Sequence, residues 1–199
     1  VDYPIPVFDI DAWLVEIALM LEWYLPHRGA PVTDALRNEF IAMWRELLQK
    51  PAAAARTWVL RDFHSPNIIW LGDRAGILRV GIIDFQDAVL GPAVYDLVSL
   101  LQDARIDVPE QVELTLLTRY IKARRAADPR FDPAGFAELY AIMSAQRNTR
   151  NPSFTPTVPA AAPPQIGQFS WIIRGILGRV DGPGASCRIC IQIPLGKRR

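Results

Sequence analysis

Cysteine is absent from the first 150 residues, so no disulfide holds that part of the chain and a reducing, cytoplasmic setting is the expected one. Cys187 and Cys190 stand near the end. With no second pair and no histidine close by, they argue against the four-ligand zinc site that a C-x2-C spacing would otherwise suggest. No run of about 20 apolar residues exists, which excludes a membrane-spanning helix. The opening VDYPIPVFDID lacks a positive charge leading into an apolar run, so no secretory leader is expected in it. Charge of one sign is not in excess either. A net charge of +1 leaves no global field to attract nucleic acid. Internal repeats are lacking as well.

What is there is a chain of ordinary globular composition with an uneven end. Of 199 residues, 50% are hydrophobic and 22% charged, enough for a sizeable core in one domain, or one domain with an appendage. Residues 1–150 carry a charge balance of −4, and residues 151–199 one of +5. That last quarter also holds 7 of the 17 prolines and 6 of the 12 glycines. Such a shift predicts two segments of different origin. Residues 151–199 are expected to be a poorly ordered, basic, Pro/Gly-rich tail, of the kind a shifted reading frame would give.

Apolar periodicity predicts helices over much of the first 150 residues. Trp13, Leu14, Ile17, Leu21, Tyr24 and Leu25 form one stripe, capped by Asp9 or Asp11 and ending before Pro26. Leu36, Phe40, Met43, Trp44, Leu47 and Leu48 form a second, capped by Thr33 or Asp34 and stopped by Pro51. Short strands are expected at 57–60, 68–71 and 77–83, the last two joined by the turn Gly72-Asp73-Arg74-Ala75-Gly76. Helices follow over about 94–104, after Pro109, and from Asp132-Pro133 to about Arg150. The basic end at 122–125 suits a helix C-terminus better than a nucleic-acid contact. His27 reads as a solvated turn residue and His64 as a surface or loop-packing one.

The chemistry concentrates in residues 58–96. Asp62 and Asn67 are five apart in a polar loop between two short strands, and Asp84 ends the strand that follows. A hairpin between them brings the three side chains toward one cleft. Phosphoryl transfer needs a carboxylate to orient the acceptor hydroxyl and take its proton, and oxygen ligands to hold magnesium on the phosphates. Asp62 suits the first role; Asn67 and Asp84 suit the second, since magnesium is usually held by one or two protein carboxylates with amide oxygen and water.

The string RDFHSPN…IIDFQDAVLGPAVYDLVSLLQDAR resembles the aminoglycoside phosphotransferase family, which has the protein-kinase-like fold. Together with LMLEWYLPHRG and Gln146-Arg147-Asn148-Thr149, it looks most like the bacterial kinases that phosphorylate the anomeric hydroxyl of N-acetylmuramate and N-acetylglucosamine in cell-wall recycling. The resemblance covers about residues 1–150. It implies an α+β, mainly helical large (C-terminal) lobe with a small β-hairpin insert of two to four strands carrying the catalytic and metal loops. It also implies ATP as phosphoryl donor, Mg2+ as cofactor and a sugar or amino-sugar acceptor, with no nucleic-acid or membrane partner. Asp62 would be the catalytic base, and Asn67 and Asp84 the magnesium ligands that also bind the nucleotide. Asp96 would brace the catalytic loop. Asp87 and Asp103 would make acceptor or supporting contacts.

Three departures from the pattern shape the expectation. Leu60 stands where the family usually has a histidine that props the loop. The resemblance begins about where the small, nucleotide-covering N-terminal lobe would end, which makes a separately encoded lobe a candidate partner and predicts negligible kinase activity from these 199 residues alone. The apolar helices expected after residue 150 are replaced by the basic tail. The alternative reading is a non-catalytic, decayed fragment or a ligand- or partner-binding module; a magnesium-dependent carboxylate hydrolase stands third.

Overall fold

The computed structural model describes residues 4–103, 105–106 and 108–150. The expectations for the tail at 151–199, including Cys187 and Cys190, lie outside the described residues. Within them the chain is mainly helical, with four short strands. None of these helices is long and apolar enough to cross a membrane.

Helix α1 (Ile10–Leu19) starts where the Asp9 carboxylate accepts the Ala12 N–H at 3.0 Å. It does not end before Pro26, as the sequence suggested. A π-helical turn, Met20–Tyr24, carries it into α2 (Leu25–His27). There the Leu25 N–H reaches back five residues to the Met20 carbonyl. The widened turn accommodates a proline that has no N–H and whose ring crowds the carbonyl four residues back. Gly29, at φ +72°, then closes the helix by letting the Ala30 N–H return to the Leu25 carbonyl at 2.9 Å.

Thr33 caps α3 (Asp34–Leu47), and the turn at Leu48 leads into α4 (Gln49–Ala53). Pro51 therefore sits in the first turn of a new helix, where its missing N–H costs nothing. The last three helices are α5 (Val94–Leu101), α6 (Glu110–Ala127) and α7 (Pro133–Arg150). Helix α7 packs against α5, α1 and α4, and α1 also packs on α3. The core between them holds Trp13, Ile17, Met20, Leu21, Trp44, Leu48, Tyr95, Val98, Ile142 and Met143, each no more than 2% exposed. Helix α6 buries none of its residues.

The strands form two nested antiparallel ribbons. The outer one pairs β1 (Arg56–Val59) with β4 (Val89–Pro92), and the inner one pairs β2 (Ile68–Trp70) with β3 (Val80–Ile82). The third strand is shorter than expected because Gly76, at φ +57°, opens a 3-10 turn over Gly76–Arg79. The segment before α1 lies along β4, with Phe8 N–H to the Leu90 carbonyl and Leu90 N–H to the Pro6 carbonyl, both at 2.8 Å. Gly91 permits that close approach: a Cβ there would stand 3.2 Å from Val59 Cγ2 and 3.5 Å from Phe8 Cβ. Nesting has one topological result. The β1–β2 loop and the β3–β4 loop leave the junction of the two ribbons together, although their polar residues are far apart in sequence.

Candidate active site

The first loop is set by an unusual backbone. Arg61 has φ +66° and Asp84 φ +60°, and they are the only non-glycine residues at positive φ among those described. Each such residue costs on the order of 1–3 kcal/mol and persists only when its surroundings hold it. Arg61 is held on every side. Its N–H donates to Asp96 Oδ1 at 3.2 Å, beside Leu60 N–H to Asp96 Oδ2 at 2.7 Å. Its carbonyl accepts the Ser99 hydroxyl at 3.3 Å, and its guanidinium lies over the Phe8 ring. Arg61 Nη2 also reaches Glu16 Oε1 at 3.4 Å. Leu60, in place of the expected histidine, is therefore pinned through its backbone.

Farther along the loop, a second aspartate takes over. Asp103, seven residues after Asp96 and 1% exposed, accepts the Ser65 N–H at 3.3 Å and the Ser65 hydroxyl at 3.2 Å. It also accepts the Arg105 N–H at 3.0 Å, a turn that ends α5 at Leu101 rather than near 104. Asp96 on α5 and Asp103 just past its end thus grip the two ends of the segment carrying Asp62. Asp103 bonds the loop at Ser65 and the turn that follows α5. Asp87 is exposed and forms no hydrogen bond or ion pair among the described residues.

Asn67 joins the two loops. Its Nδ2 donates to the Asp62 carbonyl at 2.9 Å and to Asp84 Oδ2 at 3.1 Å, which uses both amide hydrogens and leaves Oδ1 without a partner among the described residues. The ladder of the inner ribbon runs one bond further, from Ile83 N–H to the Asn67 carbonyl at 3.1 Å, and so delivers Asp84 beside Asn67. Asp84 Oδ1 accepts Gln86 Nε2 at 2.7 Å. That bond, and next the one from Asn67, hold the Asp84 carboxyl below the ordinary range, so it is an anion at neutral pH. His64 is buried against this arrangement, with Nε2 3.5 Å from Asn67 Nδ2 and no partner for Nδ1. It is a loop-packing residue. The Asp62 carboxylate is half-buried and takes no hydrogen bond or ion pair among the described residues.

Asp62, Asn67 and Asp84 therefore come together through the Asn67 amide, a network that Asp87 does not join by a hydrogen bond among the described residues. Among the described residues no three His, Cys, Asp or Glu side chains could cage a metal. A pair of hard oxygen donors, the Asn67 Oδ1 and the ionised Asp84, fits magnesium, which keeps several waters and shares its other positions with substrate phosphates. Two cavities lie elsewhere: a shallow one of 620 Å³ beside Trp23 and Pro31, and one of 230 Å³ beside Asp11 and Arg45.

Beneath the site lies a charge cluster that sequence reasoning missed. Glu16 accepts Arg150 Nη1 at 2.9 Å and Gln146 Nε2 at 3.1 Å besides Arg61. Arg147 and Arg150 both donate to the Tyr95 hydroxyl, at 3.3 and 3.4 Å. The signal was present: Glu16 falls on the apolar stripe between Trp13, Ile17 and Met20, and an acid there must be paired. Ser65 and Gln86 gave no comparable signal, because polar residues in loops are ordinary.

The two gripping aspartates titrate in opposite senses. Burial pushes the Asp96 carboxyl up, outweighing the bonds from Leu60 and Arg61. Burial acts upward on Asp103 too, but the bonds from Arg105 and Ser65 outweigh it and leave that carboxyl below its ordinary value. A raised carboxyl contributes stability below its unfolded value of about 3.9, and the contribution is lost as pH rises through the folded value. A lowered one contributes above about 3.9 and loses it as pH falls through the folded value. Asp103→Asn will therefore flatten the acid limb of the melting profile. Thermal melts between about pH 7 and 3 will show the wild type losing more of its Tm than the variant at the acid end.

A family model described as "Phosphotransferase enzyme family" matches residues 5–138. The chain is 36% identical over 140 residues to an N-acetylmuramate/N-acetylglucosamine kinase of Caulobacter vibrioides, covering 70% of the chain and 39% of that protein. It is 37% identical over 137 residues to the protein of that name from Neisseria meningitidis serogroup B, covering 68% of the chain and 39% of that protein. A third, from Pseudomonas putida, is 32% identical over 130 residues, or 64% of the chain and 37% of the relative. The chain spans about two fifths of the length of the curated relatives it matches.

Proposed function

Because the chain belongs to the phosphotransferase enzyme family, we propose that residues 1–150 act as the acceptor-activating and metal-holding lobe of an ATP-dependent small-molecule kinase. The acceptor is a hydroxyl of an amino sugar, as the names of the relatives suggest. The observation that carries the reading is the Asn67 amide, which ties the backbone of Asp62 to the carboxylate of Asp84.

Asp62 has the chemistry of the general base. Its carboxylate takes no hydrogen bond or ion pair among the described residues, so it can accept the hydrogen bond of an incoming hydroxyl. As the acceptor oxygen forms its bond to the terminal phosphorus and the bond to the bridging oxygen of ADP breaks, Asp62 takes the hydroxyl proton. Asn67 Oδ1 and Asp84 would hold a divalent cation, which when bound neutralises charge on the phosphates. Asp96 keeps Leu60 and Arg61 in place so that Asp62 needs no reorganisation. Exposed Trp70, Val80 and Ile82, on one face of the inner ribbon, offer an apolar surface beside the loops for a purine base.

The test is a chimera in which residues 1–150 of this chain replace the corresponding segment of the Caulobacter relative. Sugar phosphate should form from N-acetylmuramate or N-acetylglucosamine with magnesium ATP, read by phosphorus NMR. A folded chimera with no transfer above background would refute the kinase reading and favour the non-catalytic alternative.

A further inference from the structure

We propose that Asp103 is a positioning residue for the metal ligand Asn67, acting through Ser65; this rests on the phosphotransferase reading above. Ser65–Asn67 is a single 3-10 turn, preceded by His64 in an extended conformation and without a side-chain cap of its own. The only side chain that grips its first residue among those described is the Asp103 carboxylate, which takes both the Ser65 N–H and its hydroxyl. Two residues later the same turn presents Asn67, 9% exposed, whose amide is oriented by the Asp62 carbonyl and Asp84. With three residues and one proline, the turn has little freedom once its first residue is fixed. Fixing Ser65 therefore sets where the Asn67 backbone stands, and with it whether the amide can reach the Asp62 carbonyl and Asp84.

The arrangement also explains why α5 stops at Leu101. Continuing the helix would carry the Asp103 carboxylate around with it. Instead the chain leaves the helix at Gln102, φ −121° and ψ 47°, and Asp103 turns toward Ser65 while accepting the Arg105 N–H. Asp96 grips the entry to the loop, and Asp103 grips the half that carries the metal ligand.

Two measurements on the 199-residue chain test this. The first is the side-chain amide signal of Asn67 in nitrogen–proton NMR, assigned by its loss in Asn67→Asp. Asp103→Ala should move it toward the position of a free amide, and Asp103→Asn, which keeps one acceptor oxygen, should move it less. Ser65→Ala, which leaves the N–H bond, should also move it only partly. Phe40→Leu, a core change on α3 far along the chain, should lower the melting temperature and leave the signal in place. The second measurement is Mn2+ affinity by electron paramagnetic resonance. Asp103→Ala should weaken it by about 10-fold, the scale on which residues behind a ligand act, and Asp84→Asn should remove it. An Asn67 signal unchanged in Asp103→Ala, or moved as far by Phe40→Leu, would overturn the proposal. If the wild type binds no Mn2+, or Asp84→Asn binds it as well, the metal part of the phosphotransferase reading fails, and the Asn67 signal alone decides the role of Asp103.

Discussion

Asp62→Ala will lower phosphoryl transfer by about 10²–10⁴-fold, the range a positioned general base supplies, while the melting temperature stays near that of the wild type. The two halves of that expectation come from one fact. The Asp62 carboxylate has no hydrogen bond or ion pair among the described residues, so its removal leaves no partner unsatisfied. Removing a side chain that breaks no hydrogen bond and opens no buried polar group is at the mild end of what substitutions do to stability. Asp96→Ala is the informative contrast. It strips two backbone N–H groups of their acceptor, at 2.7 and 3.2 Å, and frees a residue held at φ +66°. Each stranded N–H costs roughly 1–3 kcal/mol. That variant should lose stability and transfer together. Steady-state rates on the chimera and thermal melts of the chain separate the cases. Full activity in Asp62→Ala would sink the base assignment, and a large drop in its Tm would show that Asp62 is structural.

Much of this was legible in the sequence, and the reasons are particular. Asp62, Asn67 and Asp84 could be grouped because hairpin turn residues separate them, and a hairpin must return its strand to its start. The helix stripes were readable because Trp13, Ile17, Phe40 and Trp44 recur at helical spacing and are buried as expected. Proline misled at Pro26, where the chain absorbed the missing N–H in a π turn; before Pro51 the second helix does end, at Leu47, but a new short helix then forms around the proline. Both outcomes depend on packing around the proline, which a local rule does not contain. The second ribbon was harder to foresee: β4 reads as VLGP, with a glycine and a proline, and pairs because Gly91 lets Val59 and Phe8 come close. Asp103 was visible as a candidate, but its role was not. Only the geometry puts Ser65 against it.

The cluster under the loop gives a second large expected effect on stability. Glu16→Ala will destabilise the chain by about 3 kcal/mol, at the low end of what breaking a buried ion pair costs. The low end applies because the Arg61 and Arg150 side chains are 34% and 32% exposed and can recover some water, whereas Glu16 is only 11% exposed. Gln146 cannot recover any. It is fully buried, its Oε1 has no partner among the described residues, and Glu16 is the acceptor for its Nε2. At about 2–4 °C per kcal/mol for a domain of this size, the melting temperature should fall by roughly 6–12 °C. Glu16→Gln keeps the shape and one acceptor oxygen but loses the charge facing two guanidinium groups, so it should fall between wild type and Glu16→Ala. A change of less than about 1 kcal/mol in Glu16→Ala would mean that the cluster is solvated and holds nothing. The consequence for function follows from position. Glu16 is on α1, Arg150 on α7, and Arg61 precedes the proposed base. Releasing Glu16 frees the guanidinium that helps to keep Arg61 in its left-handed conformation, so Asp62 loses its fixed direction before the fold is lost. Transfer by Glu16→Gln should therefore drop more than its stability does, and a chimera carrying it with wild-type rates would show that Asp96 and Ser99 hold Arg61 unaided.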